Sequence, residues 1–228
     1  MTAITFTARK IADASKARSQ CAIIPLFSDK KPGGAARLLD KASAGAIGAA
    51  LALGDFSGKA GQSLLLPVSG NSKRLLLVGA GPADKFDRKA GRELVSSMIQ
   101  ALNKTSARDA TLHCGGLNLS SADADILLEQ LGRSFTAASY RYTETVSKPK
   151  PAMKLARLTV NTEGCLTAGA AQKALDRGRC TGLGINQARN LANLPGNICT
   201  PSYLALQARK LGRAIAKLKV SVLEEIKM

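Results

Sequence analysis

The sequence predicts an α/β fold, a three-layer mixed sheet with helices packed on both faces. Three observations predict it. Short apolar runs alternate with longer stretches whose apolar residues recur at helical spacing. Two of the short runs are separated only by Ser69-Gly70-Asn71-Ser72, a hairpin connection, so the sheet is mixed and not wholly parallel. Hydrophobic residues make up 45% of the 228, aromatics only 4%, and Trp is absent. The core therefore rests on aliphatic side chains, which suits helices on a sheet better than an aromatic-rich sandwich.

Thr2 to Ala8 alternates polar and apolar residues, as a half-buried strand does. Cys21 to Phe27 is continuously apolar and reads as a strand buried on both faces. Leu38 to Leu53 reads as one helix, with Leu39, Ala42, Ala46 and Ala49 to Leu53 at helical spacing and Gly54-Asp55 as its stop. Gly58 to Gly61 is a basic turn, and Leu64 to Val68 and Arg74 to Val78 are the hairpin strands. Beyond Gly79-Ala80-Gly81-Pro82, Asp84 is placed to cap a helix running to about Asn103, with Leu94, Met98, Ile99 and Leu102 on its apolar face. Ala110 to Cys114 is a strand. Asp123 to Tyr140 is a helix with Ile126, Leu127, Leu131 and Phe135 inward.

Lys148-Pro149-Lys150-Pro151 is a stiff extended connection, followed by a strand over Leu155 to Val160. Cys165 to about Leu194 reads as a long helix, with Ala168, Ala171, Leu175, Cys180 and Leu183 inward and its glycines loosening it. Pro195-Gly196-Asn197 ends it. Thr200-Pro201-Ser202 opens another helix through about Lys217, with Pro201 in its first turn. Lys219 to Leu223 reads as a strand, and Glu224 to Met228 stops mid-element, as an α/β unit begins and not as a domain closes. The expected organisation is a domain over 1–150, a last strand and connecting helix over 151–200, and the start of a truncated second unit over 201–228.

The formal net charge is +17. Residues 148–228 carry 14 basic against 4 acidic side chains, and residues 1–147 carry 19 against 12, so the final third is the more electropositive. Such a surplus attracts polyanions, or answers an acidic surface on a partner. Five scattered Cys, with no pair spaced by two residues, exclude a zinc knuckle and a thioredoxin-type motif and fit a reducing compartment. The first twenty residues lack an apolar signal core, and the run from Ala44 to Gly54 is too short to span a bilayer. The expected location is the cytoplasm, with no membrane partner.

Val78-Gly79-Ala80-Gly81 sits between strand and helix as a dinucleotide loop does, but Asp84 stands where the third glycine would admit a pyrophosphate. His113, the only histidine, reads as a core or edge residue. Its neighbour Cys114 points to the opposite face of a strand, which makes a poor dyad. The acids are scattered and offer no paired-carboxylate site.

Residues 186–211 carry Arg189, Leu191, Asn193, Pro195, Asn197, Thr200 and Pro201 at the spacing Arg-x-Leu-x-Asn-x-Pro-x-Asn followed by Thr-Pro. This segment closely resembles the interdomain linker of leucyl aminopeptidases. Leu39-Asp40-Lys41-Ala42-Ser43, Gly54-Asp55-Phe56-Ser57-Gly58-Lys59-Ala60-Gly61 and Arg74-Leu75-Leu76-Leu77-Val78-Gly79-Ala80-Gly81 resemble that family's amino-terminal domain in the same order. Physically, Asn193 and Asn197 are placed to bond the exposed backbone of the broken helix, and Thr200-Pro201 to restart it.

The resemblance implies a macro-domain-like amino-terminal domain, a linker helix and the start of a catalytic domain. In the intact family, that catalytic domain is a metallopeptidase, a hydrolase whose two divalent metals (Mn or Zn) activate water to release amino-terminal residues. The family's Val-Gly-Lys-Gly-x-Thr-Phe-Asp and Asn-Thr-Asp-Ala-Glu-Gly-Arg motifs are missing from this sequence; Asn161-Thr162-Glu163-Gly164 resembles the second but lacks its Asp-Ala and follows the wrong strand, so it reads as a turn. No catalytic or metal-ligating residue is therefore assigned, and the chain is expected to be inactive alone. The implied partner is the catalytic domain, with a homo-oligomer as a further possibility. The competing class is a basic DNA-binding module. Arg209, Arg213 and Lys217 recur every four residues on one face of the last helix, flanked by Lys210, while Leu204, Ala208, Leu211, Ile215 and Leu218 form an apolar stripe on another.

Overall fold

Ile23 and Ile24 are adjacent in one strand, yet both are buried. Neighbouring strand residues face opposite sides of a sheet, so both sides of this sheet must be covered. The computed structural model, which describes residues 4–149 and 151–223, shows how. Its strands are β1 (Thr5–Arg9), β2 (Cys21–Phe27), β3 (Ser63–Pro67), β4 (Arg74–Gly81), β5 (Asp109–His113) and β6 (Arg157–Asn161). They form one sheet in the order β1-β6-β5-β2-β4-β3. Every pairing is parallel except β3 with β4, where Leu65 stands opposite Leu76 in the expected hairpin.

The helices are α1 (Ala35–Ala42), α2 (Ala46–Ala52), α3 (Arg88–Asn103), α4 (Ser121–Ala138), α5 (Ala168–Asn193) and α6 (Pro201–Ala214). On one face Ile23, Leu76 and Val78 pack with Leu94 and Met98 of α3, Leu131 and Phe135 of α4, and Ala171 and Leu175 of α5. On the other, Ile24, Leu75 and Leu77 pack with Leu39 of α1, Ile47 of α2 and Phe56. The alternating strand residues thus feed two aliphatic cores, and the fold is the expected three-layer mixed sheet.

Several elements differ from expectation. The single helix over 38–53 is two helices, broken where Ala44 and Gly45 take positive φ of 54° and 80°. Asp40 causes the break to hold. Its carboxylate accepts the amides of Ile47 and Gly48 at 2.8 and 3.0 Å and so caps α2. Asp84 lies in a short 3₁₀ turn, and Asp87 caps α3 instead, accepting from the Ala90 amide at 2.8 Å.

In α5, Cys180 and Leu183 are exposed; Gly178, Gly182 and Asn186 are the buried residues past Leu175. These glycines do not loosen the helix but let it approach α4. A Cβ on Gly178 would overlap the Glu129 carbonyl, and one on Gly132 would overlap the Leu175 carbonyl. Beta-strand pairing is not seen over Lys219 to Leu223, and α6 ends at Ala214, short of Lys217. Thr2, Ala3, Lys150 and the expected element at Glu224 to Met228 lie outside the described residues.

The chain forms two compact units, one of Met1–Tyr140 with Pro151–Gly184, the other of Arg141–Lys150 with Ile185–Met228. The sheet, both cores and the greater part of α5 belong to the first; the end of α5 and all of α6 belong to the second.

Candidate functional site

From β2 the chain runs through α1 and α2 toward β4, whereas from β5 it runs through α4 toward β6. Its direction across the sheet therefore reverses between β2 and β5. In an open α/β sheet the crevice beyond the carboxyl ends of the strands at such a point is where ligands bind. A cavity of about 350 Å³ lies there, lined by Ile11, Gly34, His113, Gly115, Asn161 and Glu163 among others.

Asn161, the last residue of β6, organises its floor. Its Oδ1 accepts the amides of Ile11 at 2.9 Å and Glu163 at 3.0 Å. Those two donors fix the amide's orientation, so Nδ2 donates to the Ile11 carbonyl at 3.0 Å and to His113 Nδ1 at 3.1 Å. His113 Nδ1 is thereby an acceptor and its proton sits on Nε2, which is buried without a partner among the described residues. Burial holds the imidazole down to about 4, so it is neutral near pH 7. Of the two expected places, core or edge, His113 takes the core.

The wall of the cavity is backbone. Gly115 lies against the Glu163 carbonyl so closely that a Cβ would overlap it, and Cys165 N bonds Thr162 O at 3.1 Å to close the turn over 162–165. Glu163 pairs with Lys10 at 3.3 Å on the surface. The polar groups that line the cavity are thus a neutral imidazole, an amide and a paired surface carboxylate. Among the described residues no three His, Cys, Asp or Glu side chains gather as metal ligands would, so the two-metal centre implied by the resemblance has no ligand set there.

The glycines of the apparent dinucleotide loop serve the fold. Gly79 N donates to Gln62 O at 2.8 Å and Gly81 N to Gly58 O at 2.9 Å, and a Cβ on Gly79 would overlap the Lys59 carbonyl. The turn over 58–61 packs directly against these glycines. A second cavity of about 370 Å³ lies between α3 and α4, where Arg88, Arg92, Asp123 and Glu129 mix both signs of charge. Nearby, Arg177 of α5 bridges Asp125 at 2.5 Å and Glu129 at 3.1 Å.

In the second unit, Arg189 and Asn193 lie in the last turns of α5. The turn beyond is closed by backbone: the amides of Ile198 and Cys199 both reach the Pro195 carbonyl at 2.9 Å. The Asn197 side chain, expected to help there, makes no hydrogen bond among the described residues. Thr200 caps α6 as expected, accepting from Tyr203 N at 3.3 Å, with Pro201 at the first helical position. Arg209, Lys210 and Arg213 are exposed on α6, while Lys217, also exposed, lies beyond its end. The apolar stripe is exposed too: Leu204, Leu211, Ile215 and Leu218 each show 41–50% of their surface.

Asn161 is the residue that sequence reasoning missed. Its partners His113 and Ile11 lie 48 and 150 positions away, and a strand-ending Asn before a Gly-containing turn is the local sign of it.

Residues 23–149 match the model of the cytosol aminopeptidase family, N-terminal domain. A probable cytosol aminopeptidase of Alkalilimnicola ehrlichii is 38% identical over 209 residues, 90% of this chain and 42% of the relative. The fold superposes on a mutant of tomato leucine aminopeptidase with a TM-score of 0.79 at 21% identity, covering 98% of this chain and 45% of that one. It superposes on the bottromycin maturation enzyme BotP with a TM-score of 0.65 at 22% identity, covering 92% and 40%. The chain thus spans less than half the length of the proteins it matches. No helix among the described residues is long and apolar enough to cross a membrane. The match of residues 23–149 and the likeness to these relatives show that the chain belongs to the cytosol aminopeptidase family and carries that family's amino-terminal domain.

Proposed function

We propose that this chain is the non-catalytic portion of a cytoplasmic two-metal leucyl aminopeptidase, and that it supports folding and assembly of a separate catalytic domain. The observation that carries the reading is the match of residues 23–149 to an amino-terminal domain, in a chain that spans only 42% of its relative from Alkalilimnicola ehrlichii. The metals, Mn or Zn, belong on the catalytic domain in this reading. A solved structure of BotP is in complex with Mn, in keeping with a metal-dependent family. The exposed leucines of α6 are the face that the catalytic domain covers. Arg209, Lys210 and Arg213 meet an acidic surface on it, the same chemistry that would otherwise draw them to DNA. Nothing in the likenesses points to DNA.

Leucine 4-nitroanilide hydrolysis by the purified chain, with Mn²⁺ or Zn²⁺ added, tests this directly. Background rates are expected; metal-dependent turnover would overturn the accessory reading. Mixed with the catalytic portion of the Alkalilimnicola ehrlichii relative, the chain should co-elute in size exclusion. Changing Arg209, Lys210 and Arg213 to Glu should weaken that complex, and an unchanged elution would remove those residues from the interface.

A further inference from the structure

Two thiols meet beside the cavity. Cys114 opens the turn after β5 and Cys165 closes the turn after β6, and their sulfurs stand 3.5 Å apart. The overlap of a Gly115 Cβ with the Glu163 carbonyl shows that the two flanking backbones are in direct contact, which holds the pair in place. A disulfide needs its sulfurs at about 2 Å, a gap that side-chain rotation can close when the backbones are already adjacent.

We propose that Cys114 and Cys165 form a reversible disulfide on exposure to a hydroperoxide, which makes the wall of this cavity a redox modification site. The two thiols have different roles. Cys165 is half-buried, so peroxide reaches it; Cys114 is buried and does not meet peroxide directly. The S–H of Cys114 donates to Cys165, which lowers the Cys165 thiol below its usual range and raises Cys114, whose burial raises it further.

The chemistry follows in two balanced steps. The Cys165 sulfur attacks one peroxide oxygen, the O–O bond breaks, and an alcohol (or water, from hydrogen peroxide) leaves with a proton. Cys165 becomes a sulfenic acid, oxidised by two electrons as the peroxide is reduced. The Cys114 sulfur then attacks the sulfenyl sulfur; the S–S bond forms, the S–O bond breaks, and water leaves with the Cys114 proton. Small-molecule dithiols reverse the modification. Of the other thiols, Cys21 is buried and pushed up to about 12, so it stays protonated. Cys180 is exposed and Cys199 half-buried, and these are the rival targets.

The test is peptide mapping without reduction, after the reduced full chain meets stoichiometric hydrogen peroxide and is alkylated. A Cys114–Cys165 linked peptide is expected, with an intact mass before alkylation lower by two hydrogens and two of the five thiols lost. Dithiothreitol should restore all of them. Cys165→Ser should abolish the linked peptide. Cys114→Ser should stop Cys165 at the sulfenic acid, trapped as a dimedone adduct. A hydroxyl at the buried position is liable to unsettle the fold, so the unmutated chain decides the question by itself. Oxidation of Cys180 or Cys199 while Cys114 and Cys165 both remain free thiols would overturn the proposal. So would accumulation of Cys165 sulfinic acid without the link.

Discussion

Gly178 of α5 presses on the carbonyl of Glu129 in α4, leaving no room for a methyl group between the two helices. A glycine inside a helix costs about 1 kcal/mol relative to alanine, so its presence needs a reason, and this contact supplies one. Gly178→Ala removes that cost but forces backbone against backbone. Overpacking of this kind costs about 3 kcal/mol, so a net loss of about 2 kcal/mol is expected from the difference. Urea denaturation of the two proteins side by side measures it. A variant as stable as the parent would mean that α4 and α5 slide apart freely.

Asn161 satisfies four polar groups at once while 2% exposed. Asn161→Ala strands the amides of Ile11 and Glu163 without acceptors, each worth about 1–3 kcal/mol when buried. A loss of about 3 kcal/mol is expected on that basis, together with faster hydrogen exchange at Ile11 and Glu163. Slow exchange at both amides in the variant would show that water or another group replaces the side chain without penalty.

His113 links stability to pH. Its ordinary value of 6.5 falls to about 4 in the folded chain, so between those limits the unfolded chain binds the proton and the folded one does not. Stability is complete above pH 6.5 and falls as pH drops toward 4, by about 3 kcal/mol in all and about 2 kcal/mol by pH 5. His113→Gln abolishes that slope. Denaturation midpoints at pH 7.5 and pH 5 for both proteins give the comparison; parallel shifts would assign the acid sensitivity to other groups.

Legibility in the sequence followed the range of the interactions. β2 runs over Cys21–Phe27 as read, because a continuous apolar run with β-branched residues is its own signal. The split of the helix over 38–53 was hidden, because alanines satisfy a helical period on both sides of the break. The clue was chemical: Asp40, followed by Ser43 and Gly45. Cys180 and Leu183 were placed inward by period alone, whereas α5 turns its glycines to α4, since the smallest residues allow the closest approach. The cavity was less legible than the fold, because Ile11, His113 and Asn161 come together only once the sheet has formed.

The same Asp40 yields a local prediction. Its two bonds to the Ile47 and Gly48 amides, at 2.8 and 3.0 Å, are the side-chain cap that α2 has, since Gly45 at its start offers none. Asp40→Ala leaves both amides to water, at a cost of about 1 kcal/mol for a cap at a partly exposed end. Asp40→Asn keeps an acceptor oxygen and should recover most of that stability, because the cap needs a lone pair more than a charge. Ile47 is 1% exposed, so fraying of α2 reaches the core through it. Hydrogen exchange should therefore speed up over Ala46–Ala52 in the Ala variant and much less in the Asn variant. Equal exchange in all three proteins would show that α2 is held by the packing of Ile47 alone.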